Sequence, residues 1–226
     1  MFYVISDLHG YPLIKFQQLL AKAGFCQSDV LFILGDVIDR NGDGGVEMLN
    51  WLRKQNNIQL ILGNHEAMLL SVLDAPGDER KERLINYQAS GGDVTLDALA
   101  DLKAKSREDV DAIEIYLRNS PLYRVVTVGN DKYLLLHGGL DNFRKDKRPS
   151  DYSPDEILWA WPEINDVYYD DMVTIFGHTP TMSYGEGYRG KILKTRTWID
   201  IDVGAGYGME PVLLRLDDMQ EFQNIP

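Results

Sequence analysis

The chain begins with an alternation of short apolar runs and segments that repeat apolar residues at helical spacing. Three short, largely apolar runs predict buried strands, at residues 2–6, 30–34 and 58–62, and the second of them is continuously apolar. Segments with helical periodicity follow them and predict helices, at residues 12–24, 45–55 and 66–73. Continuous apolar strands between helices indicate sheets that are covered on both faces, so the pattern predicts an α/β fold.

The pattern changes in the middle of the chain. Residues 75–120 are charged and helical in periodicity, with few strand signals, and they predict a helical insertion at the edge of the core. Asp93 and Ser106 are candidate N-caps within it. After Pro121 strands are predicted again, at residues 123–128, 132–136, 172–176, 197–201 and 211–216. We expect one domain over residues 1–226.

The composition is that of a soluble globular domain. The 226 residues are 44% hydrophobic and 26% charged, and no apolar run approaches the roughly 18 residues that cross a bilayer. No secretory signal precedes the first strand, so we expect a cytoplasmic protein without a membrane partner. The formal net charge of −12 disfavours a nucleic-acid duplex as partner. An acidic protein can still bind a phosphorylated substrate where bound cations reverse the local field.

Every histidine of the chain comes directly after a predicted strand. Carboxylates and an amide occupy similar positions, and neighbouring glycines let the backbone turn sharply. In open α/β sheets the ligand site lies beyond the carboxyl ends of the strands, so we expect these side chains to meet at one edge. The converging set is Asp7, His9, Asp36, Asn64, His137 and His178.

This converging set has the chemistry of a metal site. It combines nitrogen and oxygen donors without a thiolate, which suits manganese, iron or zinc. Six potential ligands exceed what one tetrahedral site needs, and they fit two ions that share a carboxylate, as in sites of phosphoryl hydrolysis. We therefore expect two divalent metal ions as cofactors, with manganese as the first choice and iron or zinc as alternatives.

The motifs around these residues resemble the signature of the metallophosphoesterases. In chain order they read SDLHG, GDVIDRN, GNHEAM, LLLHGG and IFGHTP. More narrowly, they resemble the phosphoprotein phosphatase family of serine/threonine phosphatases in its small bacterial and bacteriophage form, from residue 4 to about 205. The resemblance implies a calcineurin-like fold, with central β-sheets sandwiched between helices. It assigns three ligands to the first metal and four to the second, respectively Asp7, His9 and Asp36, and Asp36, Asn64, His137 and His178.

The same resemblance implies roles for the residues beside the ligands. His65 is the one histidine that no metal requires, and it is assigned as general acid, with Asp39 orienting it. Arg40 is expected to hold two phosphate oxygens through its planar fork, and Asn64 to take part in substrate binding. Glu66 is expected behind the ligands or at the helix start.

One departure from the family pattern bears on substrate choice. Bacterial relatives carry a second phosphate-binding arginine in an LWxR stretch, where this chain has Trp161. Arg189 or Arg196 could take its place from a later loop. We expect Trp159 and Trp161 to pack in the interior, with stacking on a base or an aromatic side chain as the alternative.

The resemblance predicts a metal-dependent phosphomonoester hydrolase that uses a hydroxide bridging the two metals. A serine/threonine protein phosphatase is the first expectation, with a phosphorylated protein or small phosphoester as partner. Hydrolysis of diadenosine tetraphosphate and related dinucleotides on the same centre is the alternative, although such relatives usually carry Asp where this chain has Glu66. A catalytically inactive protein-binding scaffold is a further alternative, disfavoured because His65, Arg40 and the bridging carboxylate are all present.

Overall fold

A computed structural model describes residues 1–224 of the chain, and within them it contains ten strands and seven α-helices. The strands are β1 (Phe2–Ile5), β2 (Val30–Ile33), β3 (Ile58–Leu60), β4 (Tyr123–Val128), β5 (Asp131–Leu136), β6 (Val173–Phe176), β7 (Leu193–Lys194), β8 (Trp198–Asp200), β9 (Leu213–Arg215) and β10 (Gln220–Phe222). The helices are α1 (Leu13–Lys22), α2 (Val46–Leu52), α3 (Asn64–Asp74), α4 (Gly77–Ala89), α5 (Asp93–Lys105), α6 (Arg107–Arg118) and α7 (Pro154–Leu158).

The strands form two mixed sheets of five strands each. The first sheet has the order β10-β9-β1-β2-β3, in which β1, β2 and β3 are parallel. The second has the order β4-β5-β6-β8-β7, in which β5, β6 and β8 are parallel. The parallel strands of each sheet are consecutive neighbours, so their carboxyl ends lie together at one edge of that sheet.

The inner strands of each sheet bury side chains on both faces, which explains the apolar runs of the sequence. Successive residues of β2 point to opposite sides: Leu31 and Ile33 pack under the helices, and Phe32 lies in an apolar cluster shared by the two sheets. In β5, Leu135 joins this shared cluster, whereas Leu134 belongs to the outer cluster beneath α7. The shared cluster holds the sheets against each other, and the outer clusters attach the covering segments.

The predicted α/β architecture is confirmed, with differences at the ends of elements. Helix α3 begins at Asn64 and not at residue 66, where the sequence pattern placed its start. The candidate site residues Asn64 and His65 therefore stand in its first turn. The prediction that Asp93 is an N-cap was wrong, because Gly92 holds that position and Asp93 begins α5. Ser106 does cap α6, and its hydroxyl accepts the backbone N–H of Asp109 at 3.2 Å. None of the helices in residues 1–224 is long and apolar enough to cross a membrane.

Candidate metal centre

The carboxyl ends of strands from both sheets carry the six predicted ligand side chains, and the structure brings all six together. Four follow β1, β2 and β3 of the first sheet, namely Asp7, His9, Asp36 and Asn64. Two follow β5 and β6 of the second sheet, namely His137 and His178. Five of the six are buried, and His178 is half-buried. The candidate site therefore spans the junction of the two sheets.

The backbone at this edge is held in an unusual conformation. Eight residues other than glycine have a positive φ within the described part of the chain, and six of them belong to the candidate site. A non-glycine residue in the left-handed region costs of order 1–3 kcal/mol and persists where the surrounding structure enforces it. The strand ends therefore hold backbone strain where the candidate chemistry is. The six residues are Asp7, His9, Asp36, Asp39, Arg40 and His178.

Asp36 lies between the two halves of the cluster. Its Oδ2 is 3.6 Å from Nε2 of His9, and its Oδ1 is 3.3 Å from Nε2 of His137. Asp7 stands next to His9, with its Oδ1 4.0 Å from Nε2 of that ring. Asp36 therefore offers one oxygen to each half, which is what a ligand shared by two cations requires.

Backbone carbonyls set the tautomers of two of the imidazoles. Nδ1 of His9 is 3.0 Å from the carbonyl oxygen of Ile38, and Nδ1 of His137 is 2.7 Å from that of Leu34. A carbonyl only accepts, so each Nδ1 carries the hydrogen and each Nε2 keeps a lone pair that faces the cluster. Burial lowers the pKa of His9 to about 3 and also lowers the pKa of His137, so both rings are neutral near pH 7.

The other donors also present lone pairs. Oδ1 of Asn64 lies 2.8 Å from Nε2 of His137, although turning the amide over would let its N–H group donate there instead. Oδ1 of Asp7 is buried without a hydrogen-bond partner. Burial, together with the charges of Asp202 and Asp36, raises the pKa of Asp7 well above its ordinary value. A cation between these atoms would give Oδ1 of Asp7 a partner and would stabilise its ionised carboxylate. The donor set therefore fits divalent metal ions.

His178 fits the same set only if one of its contacts changes. Its Nδ1 is 3.1 Å from Oδ1 of Asn64, on the side of the cluster, and its Nε2 is 3.0 Å from the indole nitrogen of Trp161. An indole nitrogen only donates, so this contact needs a lone pair on Nε2. Ligation through Nδ1 would place the hydrogen on Nε2. Metal ligation by His178 and its hydrogen bond with Trp161 therefore exclude one another.

His65 is held by Asp39 beside the cluster. Its Nδ1 is 2.6 Å from Oδ2 of Asp39, and its Nε2 is 3.3 Å from Nη2 of Arg40 and 3.8 Å from Oδ2 of Asp36. Burial disfavours the charged imidazole, but the two carboxylates outweigh it and raise the pKa of His65. His65 also lies close enough to His9 and Asp36 to form a group that could hold a cation. Its geometry thus allows a general acid or a ligand.

Two residues of the helical insertion support Asp39, and sequence reasoning did not find them. Oδ1 of Asp39 accepts hydrogen bonds from the hydroxyls of Tyr87 (2.6 Å) and Thr95 (2.5 Å). All three side chains are buried. Tyr87 is 48 residues away along the chain and stands in a charged helix, so no local pattern marks its role.

Glu66 ties two of the ligand loops together. It is fully buried in the first turn of α3, and its carboxylate accepts backbone N–H groups of both loops, those of Asp36, Val37, Ile38 and Gly63. It does not line the cleft that opens onto the metal centre. Glu66 therefore organises the loops from behind and makes no contact with the space a substrate would occupy.

A cleft of about 410 Å³ opens onto the candidate metal centre, and two expectations about it were wrong. Trp159 and Trp161 are not packed in the interior; they line the cleft and are 45% and 62% exposed. Neither Arg189 nor Arg196 is among the residues that line it, so Arg40 is the only lysine or arginine that does. The guanidinium of Arg40 lies over the exposed ring of Tyr207, at 5.2 Å from its centroid.

Comparisons with known proteins agree with this arrangement. A bis(5'-nucleosyl)-tetraphosphatase (symmetrical) of Erwinia tasmaniensis is 32% identical over 140 residues, which are 61% of this chain and 44% of that protein. Serine/threonine-protein phosphatase 2 of Escherichia coli K12 is 33% identical over 140 residues, 60% of this chain and 56% of that protein. A solved structure provisionally described as a diadenosine tetraphosphatase has a similar fold, with a TM-score of 0.64 and 20% identity, covering 98% of this chain and 91% of that one.

The matched region spans about half the length of these two curated relatives. The family model described as calcineurin-like phosphoesterase is broader, because it matches residues 1–201 and so includes all six candidate ligands. That match covers most of the chain and the fold comparison agrees with it, so this protein belongs to the calcineurin-like phosphoesterase family.

Proposed function

We propose that this chain is a metal-dependent hydrolase of phosphoric ester bonds. The observation that carries the proposal is the set of neutral imidazoles, carboxylates and one amide whose lone pairs converge around Asp36. When bound, two divalent cations supply an activated water as nucleophile and neutralise charge on the phosphoryl group. Manganese remains our first choice, with iron or zinc as alternatives, because a mixed nitrogen and oxygen set accepts each of them.

Three side chains beside the ligands handle the substrate in this proposal. Arg40 binds phosphate oxygens through its planar guanidinium, and Asn64 contributes to substrate binding beside its ligand role. His65 protonates the leaving oxygen from Nε2, because its Nδ1 is engaged by Asp39 at 2.6 Å. Arg40 only donates, so its contact with Nε2 at 3.3 Å is given up when Nε2 carries the hydrogen. Asp36 and Asp39 both raise the pKa of His65, but cations bound at Asp36 would neutralise the first of these charges, so Asp39 is the group that supports the protonated form this step needs. Turnover of esters with poor leaving groups should fall once the pH is high enough to deprotonate His65.

Two substrate classes are candidates for this centre. Phosphoserine and phosphothreonine in proteins were the first expectation, and similarity to the Escherichia coli phosphatase supports them. Dinucleotide polyphosphates are supported by similarity to the Erwinia protein and by the aromatic lining of the cleft. Glu66 no longer counts against dinucleotides, because its side chain is fully buried behind the ligand loops. An inactive scaffold stays disfavoured, since none of the candidate catalytic side chains is missing.

The test combines metal analysis with a substrate panel. Purified protein should contain about two equivalents of a transition metal and should hydrolyse p-nitrophenyl phosphate with manganese but not with chelator. His65→Asn should keep its metal content and lose at least about 100-fold in turnover of alkyl phosphates, with a smaller loss on p-nitrophenyl phosphate, which needs the proton least. His137→Asn is the matched control and should lose metal. If His65→Asn loses metal in the same way, His65 is a ligand and not the acid.

A further inference from the structure

Two large aromatic side chains stand exposed at the entrance to the cleft, where most proteins would bury them. Trp159 is 45% and Trp161 is 62% exposed. Covering such a side chain with another apolar surface stabilises by roughly 25 cal/mol for each Å² removed from water. Exposed aromatic residues that line a binding cleft are therefore candidates for contact with a ligand.

The two indoles stand next to His178, at the edge of the metal centre. Their rings stand nearly perpendicular to the ring of His178, at 88° for Trp159 and 86° for Trp161, with centroids 5.9 and 6.0 Å from it. Trp161 also lines a second hollow of about 350 Å³, together with Ile164 and Tyr184. Trp161 therefore borders two open spaces, the cleft and this second hollow.

The small number of cationic groups in the cleft leaves room for stacking to add affinity for the substrate. Arg40 is the only lysine or arginine among the residues that line the cleft, so one guanidinium and the metal centre would hold most of the phosphate chain. A substrate with a long phosphate chain gains little further charge neutralisation from the protein. Stacking on an indole is a second, uncharged source of affinity and is worth about 1–3 kcal/mol per base.

The size of the cleft is that of a small-molecule site. Ala89 and Ser90, at the end of α4, also line it, and Tyr207 stands beside Arg40. The volume of about 410 Å³ falls in the range of small-molecule sites. We propose that Trp161, with Trp159, is a stacking site for the base of a nucleoside polyphosphate whose phosphate chain reaches the metal centre. This inference rests on the proposed function and names its substrate class.

The first test compares a substrate that has bases with one that has none. Diadenosine tetraphosphate and tripolyphosphate both offer phosphoanhydride bonds, and both are assayed with manganese in excess. For Trp161→Ala we expect the ratio of kcat/KM for the dinucleotide to that for tripolyphosphate to fall about tenfold, because one stacked base is lost. Trp161→Phe, which keeps a flat ring, should restore most of the ratio. Ile115→Ala removes a side chain that is 60% exposed and lies outside the cleft, and it should leave the ratio unchanged.

The second test measures nucleotide binding independently of hydrolysis, by tryptophan fluorescence. Adding ATP to the manganese-loaded protein should quench tryptophan emission, and Trp161→Ala should lose most of that quenching. An unchanged ratio together with unchanged quenching in Trp161→Ala overturns the stacking site, whether or not the enzyme hydrolyses phosphoesters. A phosphotyrosine peptide that competes better than ATP, and does so through Trp161, overturns the assignment to a nucleotide base. Absence of any manganese-dependent hydrolysis by the unaltered protein contradicts the proposed function instead, and the quenching result then decides the stacking site by itself.

Discussion

At the scale of single residues, Asp36 stands in crowded surroundings. Its backbone is left-handed, with φ of 54°, and its two oxygens face histidines on opposite sides. A Cβ added to Gly63 would come within 2.3 Å of Oδ1 of Asp36, so only glycine fits at that position. The motif glycines next to the ligands therefore make room for side chains that converge from separate strands.

Gly206 makes the same kind of room at the other side of the cluster. A Cβ there would lie 2.6 Å from Cδ2 of His9 and 2.8 Å from Nη1 of Arg40, too close for either side chain to stay in place. We expect Gly206→Ala to lower kcat/KM for every phosphoester substrate by about 10- to 100-fold, because a displacement of about 1 Å at a site can have that effect. Steady-state kinetics measure it. Gly187→Ala is the control, since nothing lies within 4 Å of a Cβ at Gly187, and equal losses in both variants would contradict the steric argument.

Trp161 and a metal ion bound through Nδ1 require different tautomers of His178. The indole N–H donates to Nε2 at 3.0 Å, a contact that ligation through Nδ1 does not permit. Trp161→Phe removes the donor, and we expect manganese to bind about 2- to 10-fold more tightly, which is the net value of one hydrogen bond. Isothermal titration calorimetry measures the affinity. Trp159→Phe alters the neighbouring indole, whose ring is also perpendicular to His178, and should leave the affinity unchanged. Equal affinities in the unaltered protein and Trp161→Phe would show that His178 does not ligate through Nδ1.

At the scale of elements, the helical insertion has a structural connection to the candidate acid. Helix α4 carries Tyr87 and α5 carries Thr95, and both hydroxyls donate to Oδ1 of Asp39. The other oxygen of Asp39 holds His65. Because a hydrogen bond to a charged group is worth about 1.5–3 kcal/mol, these helices restrict the orientation of the imidazole.

Tyr87→Phe tests this connection. The variant leaves one donor on Oδ1 of Asp39, and we expect turnover of alkyl phosphates to fall about tenfold, with a smaller loss for p-nitrophenyl phosphate, whose leaving group needs the proton least. The ratio of the two rates separates this effect from a general loss of folded protein. Tyr116→Phe is the matched control, because the buried hydroxyl of Tyr116 makes no hydrogen bond to Asp39 or to another side chain, and its removal should not lower activity. Parallel losses on both substrates in Tyr87→Phe would argue against a role through His65.

At the scale of the whole molecule, the candidate site depends on the docking of two sheets. Residues of both sheets build the apolar cluster between them, and candidate ligands follow strands of both sheets. A cation that binds ligands from each sheet stabilises the docked arrangement, because it binds the folded chain and not the unfolded one. The organisation as one domain over residues 1–226 and the cytoplasmic location stay predictions.

Metal binding should therefore raise the thermal stability of the protein. At a free manganese concentration 100 times the dissociation constant, the expected gain is about 2.7 kcal/mol, which corresponds to roughly 5–10 °C in Tm for a domain of this size. Differential scanning calorimetry with manganese and with chelator measures the difference. Asp36→Asn removes the charge of the shared ligand and should show little of the increase. A full increase in Asp36→Asn would place the stabilising ion elsewhere.

Local chemistry along the chain determined the elements and the identity of the candidate ligands. The apolar runs predicted β2 and β5 because their side chains are buried on both faces, and strand-end motifs predicted Asp36 and His137 because ligands collect beyond the carboxyl ends of strands. The short strand β10, with Gln220 and Glu221, has no such apolar signal and was missed. The predicted strands are confirmed where the signal lies within a few residues of the element itself, and the ligand roles of Asp36 and His137 stay predictions.

Only the tertiary structure decided which distant side chains support the site. Tyr87 contacts Asp39 across 48 residues of chain, and Trp161 meets His178 across 17, so neither contact leaves a periodic or local trace. The exposure of the indoles was also a tertiary outcome, because an apolar residue in a strand-poor segment is equally compatible with a core or a cleft. Burial and hydrogen bonding between segments far apart in sequence depend on how the two sheets and the helical insertion pack together, and local sequence patterns do not encode that packing.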